Sequence, residues 1–210
     1  MPRSVAAVLL VAALAGVARG AAATPLVERI VLTPAQVGAG YRMRMLPQGD
    51  VVKHQVSLDL CDFAFPSDGL RTGRLQVAYL HGGHVPQISN EVLSYTAGGT
   101  KAALAELNRA LATCPARPMT GPVSGSVPTT HRLSRLVVPH LSLAYVAVHD
   151  QASARIRGKT VRRSAVAVYE VRRNVLSAIY SDGTGSLAAQ EALTFHAANA
   201  SARNLTRALP

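Results

Sequence analysis

Tryptophan is absent from this chain, and aromatic residues make up only 4% of it. Stacking platforms for single-stranded nucleic acid are therefore poor. Cysteine occurs twice, with no CxxC pair, which argues against a zinc site and against thioredoxin-like chemistry. Acidic residues number eleven, and nothing marks two of Asp59, Asp62, Asp68, Glu91 and Glu170 as the carboxylate pair of glycoside chemistry. There is no HExxH pair, Walker loop or dinucleotide fingerprint. Ser124 and Ser126 sit near glycines but in a proline-rich stretch, and Ser186 follows Gly185 where a helix cap is the simpler role. His54, His81, His84, His131, His140, His149 and His196 lack metal-ligand spacing and read as solvated loop histidines. No cofactor and no metal site is implied.

Long apolar runs are also scarce. Beyond the first 23 residues no segment approaches the ~20 apolar residues of a bilayer span. The first stretch differs: Arg3 gives a charged start, residues 5–18 are apolar, and small residues run to Ala23. This pattern predicts a secretory signal over 1–23, cleaved rather than kept as an anchor, with no cysteine placed to take a lipid. Residues 24–210 then form one exported domain with a sizeable core. In an oxidising compartment an even cysteine count is normally paired, and only Cys61 with Cys114 is available. The alternative is two free thiols, one of them a nucleophile or metal ligand. Closing that loop restricts the unfolded chain by about 4 kcal/mol.

What the chain has in excess is positive charge, +11 in all and +9 once Arg3 and Arg19 leave with the signal. Such a balance invites an anionic partner. The densest groups are Arg155, Arg157, Lys159, Arg162 and Arg163, then Arg172 and Arg173. Export and the scarcity of aromatics exclude nucleic acid. An anionic envelope polymer or lipid surface stays open.

Apolar periodicity supplies the architecture. Thr33 caps a helical turn with Pro34 at its first position, and residues 41–46 form a short extended segment. Val56, Leu58 and Leu60 alternate as a strand. Cys61, Phe63 and Phe65 continue it with opposite parity, which predicts a bulge or a doubly buried strand. Strands follow over 75–79 and 88–95. Gly98 and Gly99 lead into Thr100 as the cap of a helix with a stripe of Ala103, Leu104, Leu107, Ala110, Leu111 and Cys114. Residues 115–128 carry four prolines and connect two halves. Strands recur over 141–148, 161–171 and 175–180, with a basic turn at 155–159, and Ser186 caps a helix to about Arg203. Strand, strand, glycine turn and helix thus appear twice. The prediction is an α+β fold: a twisted, mainly antiparallel sheet with helices on one face, one disulfide and a two-fold β-β-α pseudo-repeat.

Within the strands, polar residues are the candidates for a ligand cleft. Asn90 and Ser94 share one face of their strand and Glu91 and Tyr95 the other, with Arg71 and Arg74 close by. Their plain alternative is a solvent-facing side of the sheet with weak Arg–Glu pairing.

Three stretches, LDLCDFAFPSDGLRTGRLQVAYL, SNEVLSYTAGGTKAALAELNRALATCP and VAVYEVRRNVLSAIYSDGTGSLAAQEAL, resemble the PknH-like extracellular (sensor) domain family of actinobacteria. That family is named for the outer domain of a mycobacterial membrane kinase. The resemblance covers roughly residues 27 to 205. Cys61 and Cys114 match its shared cysteine pair. It implies an α+β domain with a twisted sheet, a disulfide and a ligand cleft, acting in extracytoplasmic sensing. The chain departs from the kinase version in having no kinase domain, no span after the leader and only one available disulfide. The expectation is therefore a secreted, non-enzymatic, sensor-like domain for an unknown small molecule or envelope component, with a membrane protein as further partner. The rivals are an envelope hydrolase or transferase built on Glu91, Asp62 and a His, and a basic structural protein held on envelope polymers by charge.

Overall fold

Glycines and prolines divide the alternating apolar runs, and those runs pair into a single antiparallel sheet. The structure, a computed structural model, describes residues 25–83, 86–121, 125–182 and 186–210. The expected leader, His84, Ser124 and the turn at 183–185 lie outside the described residues. Seven strands are described: β1 (Tyr41–Met45), β2 (Arg71–His81), β3 (Pro86–Tyr95), β4 (Thr129–Arg135), β5 (Ala144–Ile156), β6 (Lys159–Arg172) and β7 (Val175–Asp182). Their order in the sheet is β1-β2-β3-β7-β6-β5-β4, each pair antiparallel. Four helices pack on it: α1 (Pro25–Ile30), α2 (Pro34–Val37), α3 (Gly99–Thr113) and α4 (Leu187–Ala208). This is the expected α+β class. Among the described residues no helix is long and apolar enough to cross a membrane.

Local chemistry explains the element ends. Thr33 precedes α2 and gives its backbone N–H to the Gln36 side chain at 2.9 Å, with Pro34 opening the helix. Ser186 accepts the Ala189 N–H at 3.2 Å and starts α4 as expected. The α3 cap differs from expectation. Gly98 caps it in the left-handed region at φ 82°, while Thr100 lies inside the helix and donates its hydroxyl to the Arg173 carbonyl at 2.7 Å. Glycine takes that backbone state without steric cost, so the start moves two residues earlier and Thr100 is freed to tie α3 to the β6–β7 turn.

Alternation along each strand sends side chains to two cores. On one face, Val77, Tyr79, Ile88, Val92, Val168 and Ile179 meet α1, α2 and α4. On the other, Leu93, Tyr95, Tyr169, Leu176 and Ala178 meet Ala103, Leu107 and Ala110 of α3 together with Leu58, Leu60 and Phe65. A fully buried side chain of this size contributes roughly 1.5–3 kcal/mol. Tyr79 is fully buried, and its hydroxyl donates to the Leu32 carbonyl at 2.6 Å, fastening the chain between α1 and α2 to the sheet.

The helices thus cover both faces rather than the one expected. A two-fold axis through the β3–β7 pair would keep α3 and α4 on the same face. The repeated order of strands and helix therefore carries no such symmetry.

A second correction concerns the first cysteine. Residues 51–65 form no strand; they cross the α3 side of the sheet as irregular chain. Cys61 and Asp62 both adopt left-handed backbone, at φ 59° and 54°. Two such residues in succession reverse the side-chain parity, so Phe65 returns to the same core as Leu58 and Leu60. The parity switch in the sequence is this turn and not a bulge. The disulfide joins Cys61 to Cys114 at the end of α3, with Cα atoms 5.8 Å apart. It clamps a loop, not a strand, onto the helix.

Candidate functional site

The strand missed by apolar periodicity, β4, builds the most distinctive cluster in the molecule. Its sequence, TTHRLSR, holds one apolar residue, because it is an edge strand with no fully buried position. It pairs along β5, setting His131 opposite Ala152 and Leu133 opposite Asp150. His131 is half-buried on this strand rather than solvated in a loop. Its Nδ1 lies 2.8 Å from Asp150 Oδ2, and its Nε2 lies 3.1 Å from Asp62 Oδ2. A neutral imidazole has one N–H, and would set a lone pair against one of the carboxylates. With carboxylates at both nitrogens, the doubly protonated ring fits. The hydrogen bond to Asp150 pulls the His131 pKa up to about 9, against the dehydration that burial imposes.

Asp62 reaches this ring because of its unusual backbone. Its left-handed turn follows the disulfide directly, and the side chain is buried. Gly121 packs against it from the 115–128 connection. A Cβ at Gly121 would fall 2.2 Å from the Asp62 carbonyl oxygen, so only glycine permits this approach. Three remote pieces of chain are thereby drawn together: the cystine loop, the proline-rich connection and the β4–β5 hairpin.

Beside the cluster lies a groove of about 240 Å³. Asp59, Asp62, His131 and Asp150 form its polar end, and Ala154, Ile156 and Val161 are among its apolar walls. Asp59 opens to solvent here, while protein crowds it on its other sides. Loss of hydration, then repulsion from Asp62 and Asp150, pushes its carboxyl up to about 6. Arg163 stands at the rim, paired with Asp182. The groove can receive a ligand carrying a hydrogen-bond donor or a positive charge at one end and an apolar body behind it. Both nitrogens of His131 are engaged, so it is not poised as a free base. Among the described residues no group of three His, Cys, Asp or Glu is arranged to hold a metal ion.

The six residues singled out in the sequence lie elsewhere and are buried. Arg74 sets Nε 2.6 Å from Glu91 Oε1 and 3.1 Å from Ser57 Oγ, and its other nitrogens reach the Gln48 carbonyl and Gln76 Oε1, each at 2.7 Å. Arg71 donates to Ser57 Oγ, to the Gln55 carbonyl and, at 2.9 Å, to the Asp68 carbonyl. Burial pushes Glu91 up to about 7 despite the charge of Arg74. On the opposite face Asn90 accepts the Leu32 N–H at 3.0 Å and donates to Ser177 Oγ at 2.9 Å. Ser94 pairs with Thr72 at 3.0 Å. Tyr95 is buried against α3, where Gly99 makes room for its ring.

The hydrolase alternative named Glu91, Asp62 and a His. The structure brings Asp62 to His131 and engages Glu91 with Arg74. Asp59, His131 and Asp150 were missed as a group, since they lie far apart in sequence on pieces without helical or strand periodicity in common. A usable signal was the paired parity of His131 and Leu133.

No protein-family model and no curated protein matches the chain. Among solved structures, the extracellular domain of PknH from Mycobacterium tuberculosis is similar, with a TM-score of 0.53 and 12% sequence identity over 87% of this chain and 94% of that one. At this identity the similarity is one of fold.

Proposed function

We propose that this chain is a non-enzymatic ligand-binding domain of the extracytoplasmic space, and that its ligand occupies the groove beside Asp59. The observation that carries this reading is the groove itself, an acidic end joined to an apolar wall on a protein that is otherwise strongly basic. A fold similar to a kinase's extracellular domain supports a sensing role, and the Cys61–Cys114 disulfide supports an oxidising compartment. In this reading residues 1–23 are the export leader and 24–210 a single domain, with 115–128 joining its halves. Arg71, Arg74, Asn90, Glu91, Ser94 and Tyr95 hold β2 and β3 to their neighbours, away from the groove.

The test is a panel of small amphiphilic amines and guanidines screened by thermal unfolding and by amide chemical shifts. The expected hit raises the melting temperature, shifts resonances around Asp59 and Ala154, and weakens on acidification below about pH 6 and in Asp59→Asn. Shifts confined to other surfaces, or a response unchanged in Asp59→Asn, would sink this assignment.

A further inference from the structure

Strands β5 and β6 run past their neighbours. Pairing with β4 ends at Ala154 and pairing with β7 ends at Ala165, so the ribbon beyond them is two-stranded. Its turn is Arg157-Gly158, both left-handed at φ 49° and 78°. This two-residue connection favours Asn at its first position, yet here an arginine occupies the outermost point.

The ribbon is amphipathic. Ile156 and Val161 lie on the groove side, 44% and 45% exposed. Arg155 and Arg162 occupy positions of opposite parity, and Arg157 and Lys159 complete the tip; all four are exposed. Exposed apolar side chains on one face, with cations on the other face and at the tip, form an arrangement that seats a ribbon at an anionic bilayer surface. The apolar groups enter the headgroup boundary and the cations meet lipid phosphates. A soluble polyanion would use the cations and leave Ile156 and Val161 in water.

We infer that the tip of the β5–β6 ribbon docks on an anionic lipid bilayer. The inference is independent of what fills the groove. Docking brings the groove's apolar wall, which shares Ile156 and Val161, to the membrane boundary.

The experiment is flotation of the chain from Thr24 onward, which contains every described element, with vesicles of phosphatidylglycerol in phosphatidylcholine. Pure phosphatidylcholine vesicles and a soluble polyanion are the controls. Wild type floats with the anionic vesicles and is released as ionic strength rises. The combined variant Arg155→Gln, Arg157→Gln, Lys159→Gln, Arg162→Gln loses affinity by about fivefold or more per cation. Ile156→Ser with Val161→Ser, all cations kept, binds vesicles about tenfold more weakly and the polyanion as before. Ile156→Ser alone gives a smaller fall and serves if the double variant does not melt cooperatively. Absence of wild-type flotation overturns the inference. So does unchanged vesicle binding in the serine variants, which would reduce the tip to charge adsorption. Asp59→Asn floats like wild type, so failure of the groove assignment and failure of this one are separable.

Discussion

Asp150 holds His131 by a 2.8 Å hydrogen bond across the β4–β5 pair, while Asp62 approaches the other ring nitrogen from the cystine loop. The ring therefore staples a loop to the sheet through its charge. Folding raises its pKa from 6.5 to about 9. A raised pKa stabilises fully below the unfolded value and loses its contribution as pH rises through the folded one. Stability from this group should decline between pH 6.5 and about 9. His131→Ala should remove that decline and cost on the order of 3 kcal/mol at pH 7, because two carboxylates lose their shared cation. Urea unfolding across that range checks both statements; a slope unchanged in the variant would refute them.

Arg74 and Glu91 should show the asymmetry of buried ion pairs. Each is almost without solvent contact. Arg74→Met strands the Glu91 carboxylate and should cost about 3–5 kcal/mol, while adding Glu91→Met should restore much of it. Denaturation of the single and double variants decides this. A double variant as unstable as the single would mean that Arg74 matters through its carbonyl contacts instead.

Glu170 sits on the α4 side of β6, fully buried, with neither carboxyl oxygen hydrogen-bonded among the described residues, and burial pushes its carboxyl up to about 8. The folded state thus holds a proton that the unfolded chain gives up near pH 4.5. Stability must fall as pH rises through this window, by as much as about 1.4 kcal/mol per pH unit. Glu170→Gln keeps the neutral shape and should flatten the dependence. Parallel curves for variant and wild type would show that Glu170 does not titrate there.

The disulfide couples stability to the site. Reduction, or Cys61→Ser with Cys114→Ser, should lower stability by about 4 kcal/mol through the freed 53-residue loop. Because Asp62 follows Cys61, the His131 pKa should also fall towards 6.5 as the loop loosens, which an NMR titration of the ring reads. A ring pKa untouched by reduction would place the positioning force in Gly121 and the 115–128 connection alone.

Much of the fold was legible in local pattern. Strands β2, β3, β6 and β7 show as apolar runs between turn residues, the α3 stripe points Ala103, Leu107 and Ala110 inward, and Ser186 caps α4, because composition, period and capping are properties of neighbouring residues. Where the pattern misled, a nonlocal cause was at work. Leu58 and Leu60 alternate like a strand, yet they join no ladder, and the chain through the left-handed pair Cys61–Asp62 lays them over a sheet face. β4 was invisible because it needs only one apolar side chain at an exposed edge.

The sequence by itself determined the α+β class, the one available cystine, the excess of positive charge and the basic β5–β6 turn. These follow from composition and short-range spacing. Tertiary structure alone decided which polar residues meet. Asn90, Glu91, Arg71 and Arg74, adjacent in sequence to strand apolar residues, were drawn into the interior because β2 and β3 are inner strands with both faces covered. Asp59, Asp62, His131 and Asp150, spread over nearly a hundred positions, were gathered at one groove because sheet register and a loop tied to α3 placed them there. Carboxylates near one another repel, and the energy that holds them together is the packing and covalent closure of the fold around them.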